Sequence, residues 1–201
     1  MTEAVNEPSP TRQELTSPEP TRFSPEQKVV LEERGYVIVF LTGTTVGETA
    51  KAMPSLVIGV NNMDHDTILE SGNLRSRFGD AAIPLHPLQD SGNKTLIGQL
   101  ELVKELSRTL GREIPGVTAE IGTYADYLAA LRQIRLAKGA GTQLFPEPEV
   151  GEIRTISGPT LNQRNIEGGT VYFGINSKTS PAARQPNLQV LPLITPQTTA
   201  Q

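Results

Sequence analysis

The stretch TLIGQLELVKELSRTLGREIPGVTAEIGTYADYLAALRQIRL, residues 95–136, decides what kind of fold this chain can adopt. It reads as helix, strand, helix. Leu96, Leu100, Val103, Leu106 and Leu110 recur at steps of three and four, which puts them on one face of a helix directed at a core. Gly111 reads as its stop. The run Val117-Thr118-Ala119-Glu120-Ile121 then alternates apolar and polar side chains, as a half-buried strand does. Past Gly122, Thr123 is placed to cap a second helix with its hydroxyl, and Asp126 puts negative charge near that helix's positive end. Tyr124, Leu128 and Leu131 form the expected inner stripe, with Tyr127, Ile134 and Leu136 on or beside it; Lys138-Gly139 closes the helix. This unit is scaffold, and no catalytic spacing lies within it.

Working outward toward the N-terminus, the segment Phe23-Ser24-Pro25-Glu26-Gln27 is a helix start: Ser24 and Gln27 have capping-box spacing, Pro25 suits the first helical position, and Phe23 is placed to staple the first turns. The helix runs to Arg34 and ends at Gly35. Tyr36 to Leu41 is an uninterrupted apolar run of strand length, read as a strand covered on both faces and central in its sheet. Thr42 to Thr49 turns into a short helix, with Thr45 and Glu48 at capping-box spacing, and Leu56 to Val60 is a second buried strand. Residues 61–80 are polar, with short helical turns expected around Thr67 to Leu69 and Arg75 to Phe78. Ala81 to Leu85 reads as a strand that Pro84 confines to an edge or a bulge.

Beyond Gly139-Ala140-Gly141 the pattern changes to short extended runs, Ile153 to Ile156, Thr170 to Ile175 and Leu188 to Ile194, with Pro192 placing the last at a margin. The order of elements predicts an α/β or α+β fold: a mixed β-sheet with helices packed on at least one face and a strand-rich C-terminal third, some of its early pairing parallel. Residues 1–22, rich in Pro, Glu, Ser and Thr, read as a disordered tail; 23–194 as a single globular domain; 195–201 as a frayed end. A chain of 201 residues is long enough to bury about 70 % of its unfolded surface in one core.

Composition excludes more than it assigns. The formal charge is -4, with -2 in residues 1–23 and +2 in residues 151–201, so no strongly basic face is expected and nucleic acid is not an expected partner. The absence of cysteine removes disulfides, thiolate nucleophiles and zinc-thiolate sites together. No run approaches the roughly 20 apolar residues of a membrane span, and no signal-like start is present, so a cytoplasmic location without membrane contact is the default.

Two stretches hold candidate chemistry. Gly43, Thr44, Thr45, Gly47 and Thr49 lie where a strand enters a helix, an arrangement whose amides and hydroxyls can hold phosphate, although neither GxxxxGK[ST] nor GxGxxG spacing is met. Asp64, His65 and Asp66 follow the second strand, and with the distant His86 they could ligate a metal or act as acid and base. Ser157 and Ser177 lack a nucleophile elbow, and Arg154, Arg164 and Arg184 are scattered cations able to meet an anion. The expected function is that of a binding or protein-interaction module with no covalent chemistry of its own, taking a protein partner or a small anionic ligand; no cofactor is implied. Two alternatives stand beside it: an enzyme on a phosphorylated or nucleotide-like substrate held by Gly43 to Gly47, and a structural subunit of a larger assembly whose strands complete a neighbour's sheet.

Overall fold

A computed structural model describes residues 19–53, 56–61, 72–139, 152–156, 159–166, 170–178 and 180–197. The chain folds as α+β. Its described elements are α1 (Pro25–Glu33), β1 (Tyr36–Thr42), α2 (Val46–Lys51), β2 (Leu56–Asn61), β3 (Phe78–Pro84), α3 (Leu96–Glu113), β4 (Val117–Ile121), α4 (Tyr124–Lys138), β5 (Glu152–Arg154), β6 (Pro159–Ile166), β7 (Thr170–Lys178), β8 (Leu188–Gln189) and β9 (Pro192–Pro196). One sheet, antiparallel throughout, has the order β1-β3-β9-β4; the other is mixed and runs β2-β7-β6-β5-β8, with β2/β7 and β5/β8 parallel.

The helix starts form as their side chains dictate. Ser24, Thr45 and Thr123 each accept from the third residue of their helix, and Gln27, Glu48 and Asp126 each return a bond to the cap amide. Strand alternation then divides the core in two across the first sheet. Val39, Leu41, Ala81, Ile83 and Leu193 meet α4 on one face; Ile38, Ala82 and Ile194 meet α1 and α3 on the other, through Leu31, Val103 and Leu110.

Helix α4 is covered nearly all round. Ala125, Asp126, Ala129, Ala130 and Arg135 are buried beside the expected apolar stripe, because α2 and Ile153 of β5 close its outer side. Its alanines permit that close approach. Leu136, expected on or beside that stripe, is instead 70 % exposed. Gly111 does not stop α3; the helix runs through it to Glu113, since one interior glycine costs only about 1 kcal/mol against a packed amphipathic face.

The largest departures concern which strands are central. β1, apolar as far as Leu41, is the margin of its sheet, while β3 and β9 lie inside it. Pro84 does not force β3 outward, because it is the last residue of the strand, opposite Tyr36. The run Leu188 to Ile194 is two strands rather than one: the chain leaves the mixed sheet at β8, crosses through Val190-Leu191 and enters the first sheet as β9. β1 and β2 belong to different sheets, so no parallel β1-α2-β2 unit forms.

Candidate functional site

The site begins with the missing amides of proline. Gln197 N donates to Gly116 O at 2.8 Å, and this register makes Ile194, and with it Pro192 and Pro196, point its main-chain groups away from β4 toward β3. Ile194 pairs with Ala82. Two residues along in one direction the pairing would set Pro192 opposite Pro84, and neither has an N–H to give. In the other direction Pro196 would face Asp80 with no N–H of its own, and the Asp80 N–H is given to Thr21 O instead. The ladder between two interior strands is therefore a single bridge, and beyond it β3 and β9 part.

The opening takes up the chain's own segment ahead of α1. Asp80 N donates to Thr21 O at 2.8 Å, and Thr21 forms a parallel bridge with Gly79. Gly79 is required twice over: its φ is +147°, and a Cβ there would stand 2.5 Å from Thr21 O and 2.8 Å from Thr21 N. The Asp80 carboxylate clamps the segment, meeting Arg22 Nη1 and Lys28 Nζ at 2.9 Å each and the Phe23 amide at 3.2 Å. Burial of Asp80 opposes its ionisation, but Lys28, Arg22 and the Phe23 amide outweigh it and hold the carboxyl below its ordinary range. Arg22 also lies over the Phe40 ring at 4.0 Å.

Between this segment and the end of β9 remains a cleft of about 740 Å³, lined by Glu19, Thr21, Arg77, Thr118, Glu120 and Thr195 among others. Arg77 is fixed from both ends. Its amide donates to Asp126 Oδ1 at 2.8 Å, its Nε lies 3.5 Å from Asp126 Oδ2, and its Nη1 pairs with Glu120. Thr195 Oγ1 donates to the same Glu120 carboxylate at 3.0 Å. Asp126, fully buried, thus serves as helix cap and as anchor for Arg77. A second hollow of about 480 Å³ shares Arg77, Thr118 and Glu120 and continues along β4 past Leu100, Lys104 and Ile156. Hydroxyls and one doubly held guanidinium make this surface suited to hydrogen-bonded recognition.

The loop at Gly43 touches this network through the backbone. Gly43, at φ +68°, donates its amide to Arg77 O at 2.9 Å. Several neighbouring amides are also engaged: Thr45 with Glu48 Oε2, Val46 with Leu74 O, Glu48 with Thr45 Oγ1 and Thr49 with Thr45 O. The Thr44 hydroxyl bridges those of Thr42 and Thr49 at 3.1 and 2.9 Å, and Gly47 approaches the Gly72 carbonyl. These bonds make the loop a joint between β1 and α2. His86 is exposed beyond Pro84, at the end of β3 away from the cleft.

Asp64, His65, Asp66 and Ser157 lie outside the described residues, as does the turn expected around Thr67 to Leu69. Among the described residues no three His, Asp or Glu side chains are grouped to hold a metal ion. Of the scattered arginines, Arg184 is exposed, Arg164 belongs to β6, and Arg154 is buried with Nη2 donating to Ala183 O at 3.0 Å. Burial depresses the Arg154 pKa, yet its bonds to carbonyls tie the 180–183 loop to β5. Sequence reading missed Arg77, Asp80, Thr118 and Thr195, which three separate segments bring together with no common motif. The signal that was present is the spacing of Pro192 and Pro196, four residues apart around Ile194, which leaves Ile194 as the one donor among those three positions on that side of the strand. No protein-family model, curated protein or solved structure matches the chain.

Proposed function

We propose that this protein is a binding module without covalent chemistry of its own, and that its ligand is an extended polypeptide segment of a partner, received where β3 and β9 part. One observation carries this reading: an extended segment is already seated there, with Thr21 bonded to the open side of β3, and a cleft of about 740 Å³ remains beside it. Main-chain pairing supplies affinity in such recognition and side-chain contacts supply selectivity. The hydroxyls of Thr118 and Thr195 and the held guanidinium of Arg77 are the selecting groups. The Gly43 loop contributes the footing of Arg77, whose carbonyl accepts the Gly43 amide.

Selection of binders from a displayed peptide library against the intact protein tests this. Peptides so obtained should lose binding to a Thr195→Trp variant, whose ring fills the cleft, and keep it in Leu136→Trp, at an exposed position on α4. A library that yields no binder, or binders indifferent to Thr195→Trp, would reject the proposal.

A further inference from the structure

The two oxygens of the Asp80 carboxylate, whose side chain is 3 % exposed, have partners of different kinds. Oδ2 is met by Lys28 Nζ at 2.9 Å and by the Phe23 amide at 3.2 Å, and both belong to the body of the fold: Lys28 lies on α1, and Phe23 is buried in the core shared with Leu31. Oδ1 is met by Arg22 Nη1 at 2.9 Å and, among the described residues, by nothing else. The same guanidinium lies 4.0 Å from the centre of the Phe40 ring, which the Phe78 ring meets edge-on at 5.6 Å. A planar cation can bond a carboxylate in its own plane while its face lies on an aromatic ring, and an ammonium cannot do both. Arg22 itself is held lightly. Its side chain is 54 % exposed, and among the described residues one main-chain bond, Asp80 N to Thr21 O, ties residues 19–22 to the sheet. The receiving groups are built into the fold, whereas the group they receive comes from an exposed segment.

We infer that Asp80 Oδ1 and the face of Phe40 form an arginine subsite, that Arg22 fills it as the chain's own competitor, and that the partner segment which displaces residues 19–22 presents an arginine there. This rests on the peptide-binding reading above and adds the chemistry of the ligand. A segment that lifted Arg22 away without bringing a cation would leave one oxygen of a buried carboxylate unpaired, a cost larger than one main-chain bond returns. Gly79, with no Cβ beneath Thr21, sets the residue ahead of the arginine directly against β3. A competitor tethered in the same chain acts at an effective concentration of about a millimolar, so weakening it strengthens any rival.

Selection of a displayed peptide library against the intact chain carrying Arg22→Ala tests the inference. The binders should share an arginine at one fixed position, bind the parent protein about tenfold more weakly than the variant, and lose about tenfold on the variant when that arginine is replaced by alanine. Arg22→Gln, which keeps a neutral donor for Oδ1, supplies the same comparison where Arg22→Ala does not fold. Binders with no shared arginine, or with equal affinity for parent and variant, overturn the inference; if Thr195→Trp still abolishes their binding, the peptide-binding reading stands without it. A library that yields no binder rejects both. Failure of both variants to fold would make Arg22 a structural clamp and overturn this inference alone.

Discussion

β1 and β9 invert what their sequences suggest. Tyr36 to Leu41 is apolar and unbroken yet marginal; Pro192-Leu193-Ile194-Thr195-Pro196 begins and ends in proline yet runs between two other strands. The difference separates two properties that are easily run together. An apolar run reports that both faces of a strand are covered, and β1 is covered, by α4 on one side and α1 on the other. It does not report whether the strand's lateral groups are paired. Lateral pairing depends on which amides exist and where they point, and β9 has full pairing toward β4 but one bridge toward β3.

If β9 holds its place with so little of a ladder on one side, side-chain bonds must fix it, and the largest expected effect follows from removing them. The Tyr127 hydroxyl, fully buried, accepts the Gly122 amide at 3.0 Å and donates to Leu191 O, joining the end of β4 to the approach to β9. Burial pushes its phenol above the usual range, so it remains a donor at any ordinary pH. Tyr127→Phe leaves two buried main-chain groups without that partner and should destabilise the fold by about 2–4 kcal/mol in urea unfolding. A loss under about 0.5 kcal/mol would show that β9 is held by packing alone.

The clamp at Asp80 comes next. Asp80→Asn should cost about 1–2 kcal/mol, since charge-assisted bonds to Arg22 and Lys28 weaken while the Phe23 amide keeps an acceptor. The folded-state pKa of Asp80 is lowered, so its contribution is fully present above the unfolded value of about 3.9 and is lost as pH falls through the lower folded value. The stability difference between Asp80→Asn and the parent protein should therefore shrink in acid. A difference that is constant from neutral pH downward would assign the effect to something other than ionisation.

Legibility in the sequence follows the range of each interaction. Caps at Ser24, Thr45 and Thr123 were readable because both partners sit within three residues of each other. The alternation of β4 was readable because one of its faces is buried in each repeat of two. Nothing local marks Gln99, which reads as a polar face residue of α3 yet is fully buried, donating to Ser91 O and Leu188 O. The cleft was the least readable part. Arg77 reaches Glu120 across 43 residues and Asp80 reaches Arg22 across 58, and such pairs have no spacing to recognise.

Gly79→Ala gives an effect of the same size with a more specific meaning. Its methyl would collide with the Thr21 backbone, and relief is available because the segment can swing away while the rest of the sheet stays paired. The expected cost is about 1–2 kcal/mol, with the Asp80 amide losing protection from exchange and neighbouring β1/β3 amides keeping theirs. Global unfolding at Gly79→Ala would mean that Thr21 is an integral strand rather than an occupant of the opening.

The smallest effect is the one that tests the proline argument directly. Pro196→Ala restores an amide that faces β3, but the groups it would pair with lie where Thr21 is bound, so alone it should change stability by no more than about 0.5 kcal/mol. In the Gly79→Ala background the opening is vacated, and the new amide at position 196 can reach Asp80 O in the register already set by Ala82 and Ile194. The pair should then show a favourable coupling of about 0.5–1.5 kcal/mol, the size of one net hydrogen bond, and the residue 196 amide should be protected only in the double variant. Additive behaviour would mean that the strands are kept apart by the cleft's side chains, above all the Arg77 to Glu120 bridge, and that the missing donors merely accompany the separation.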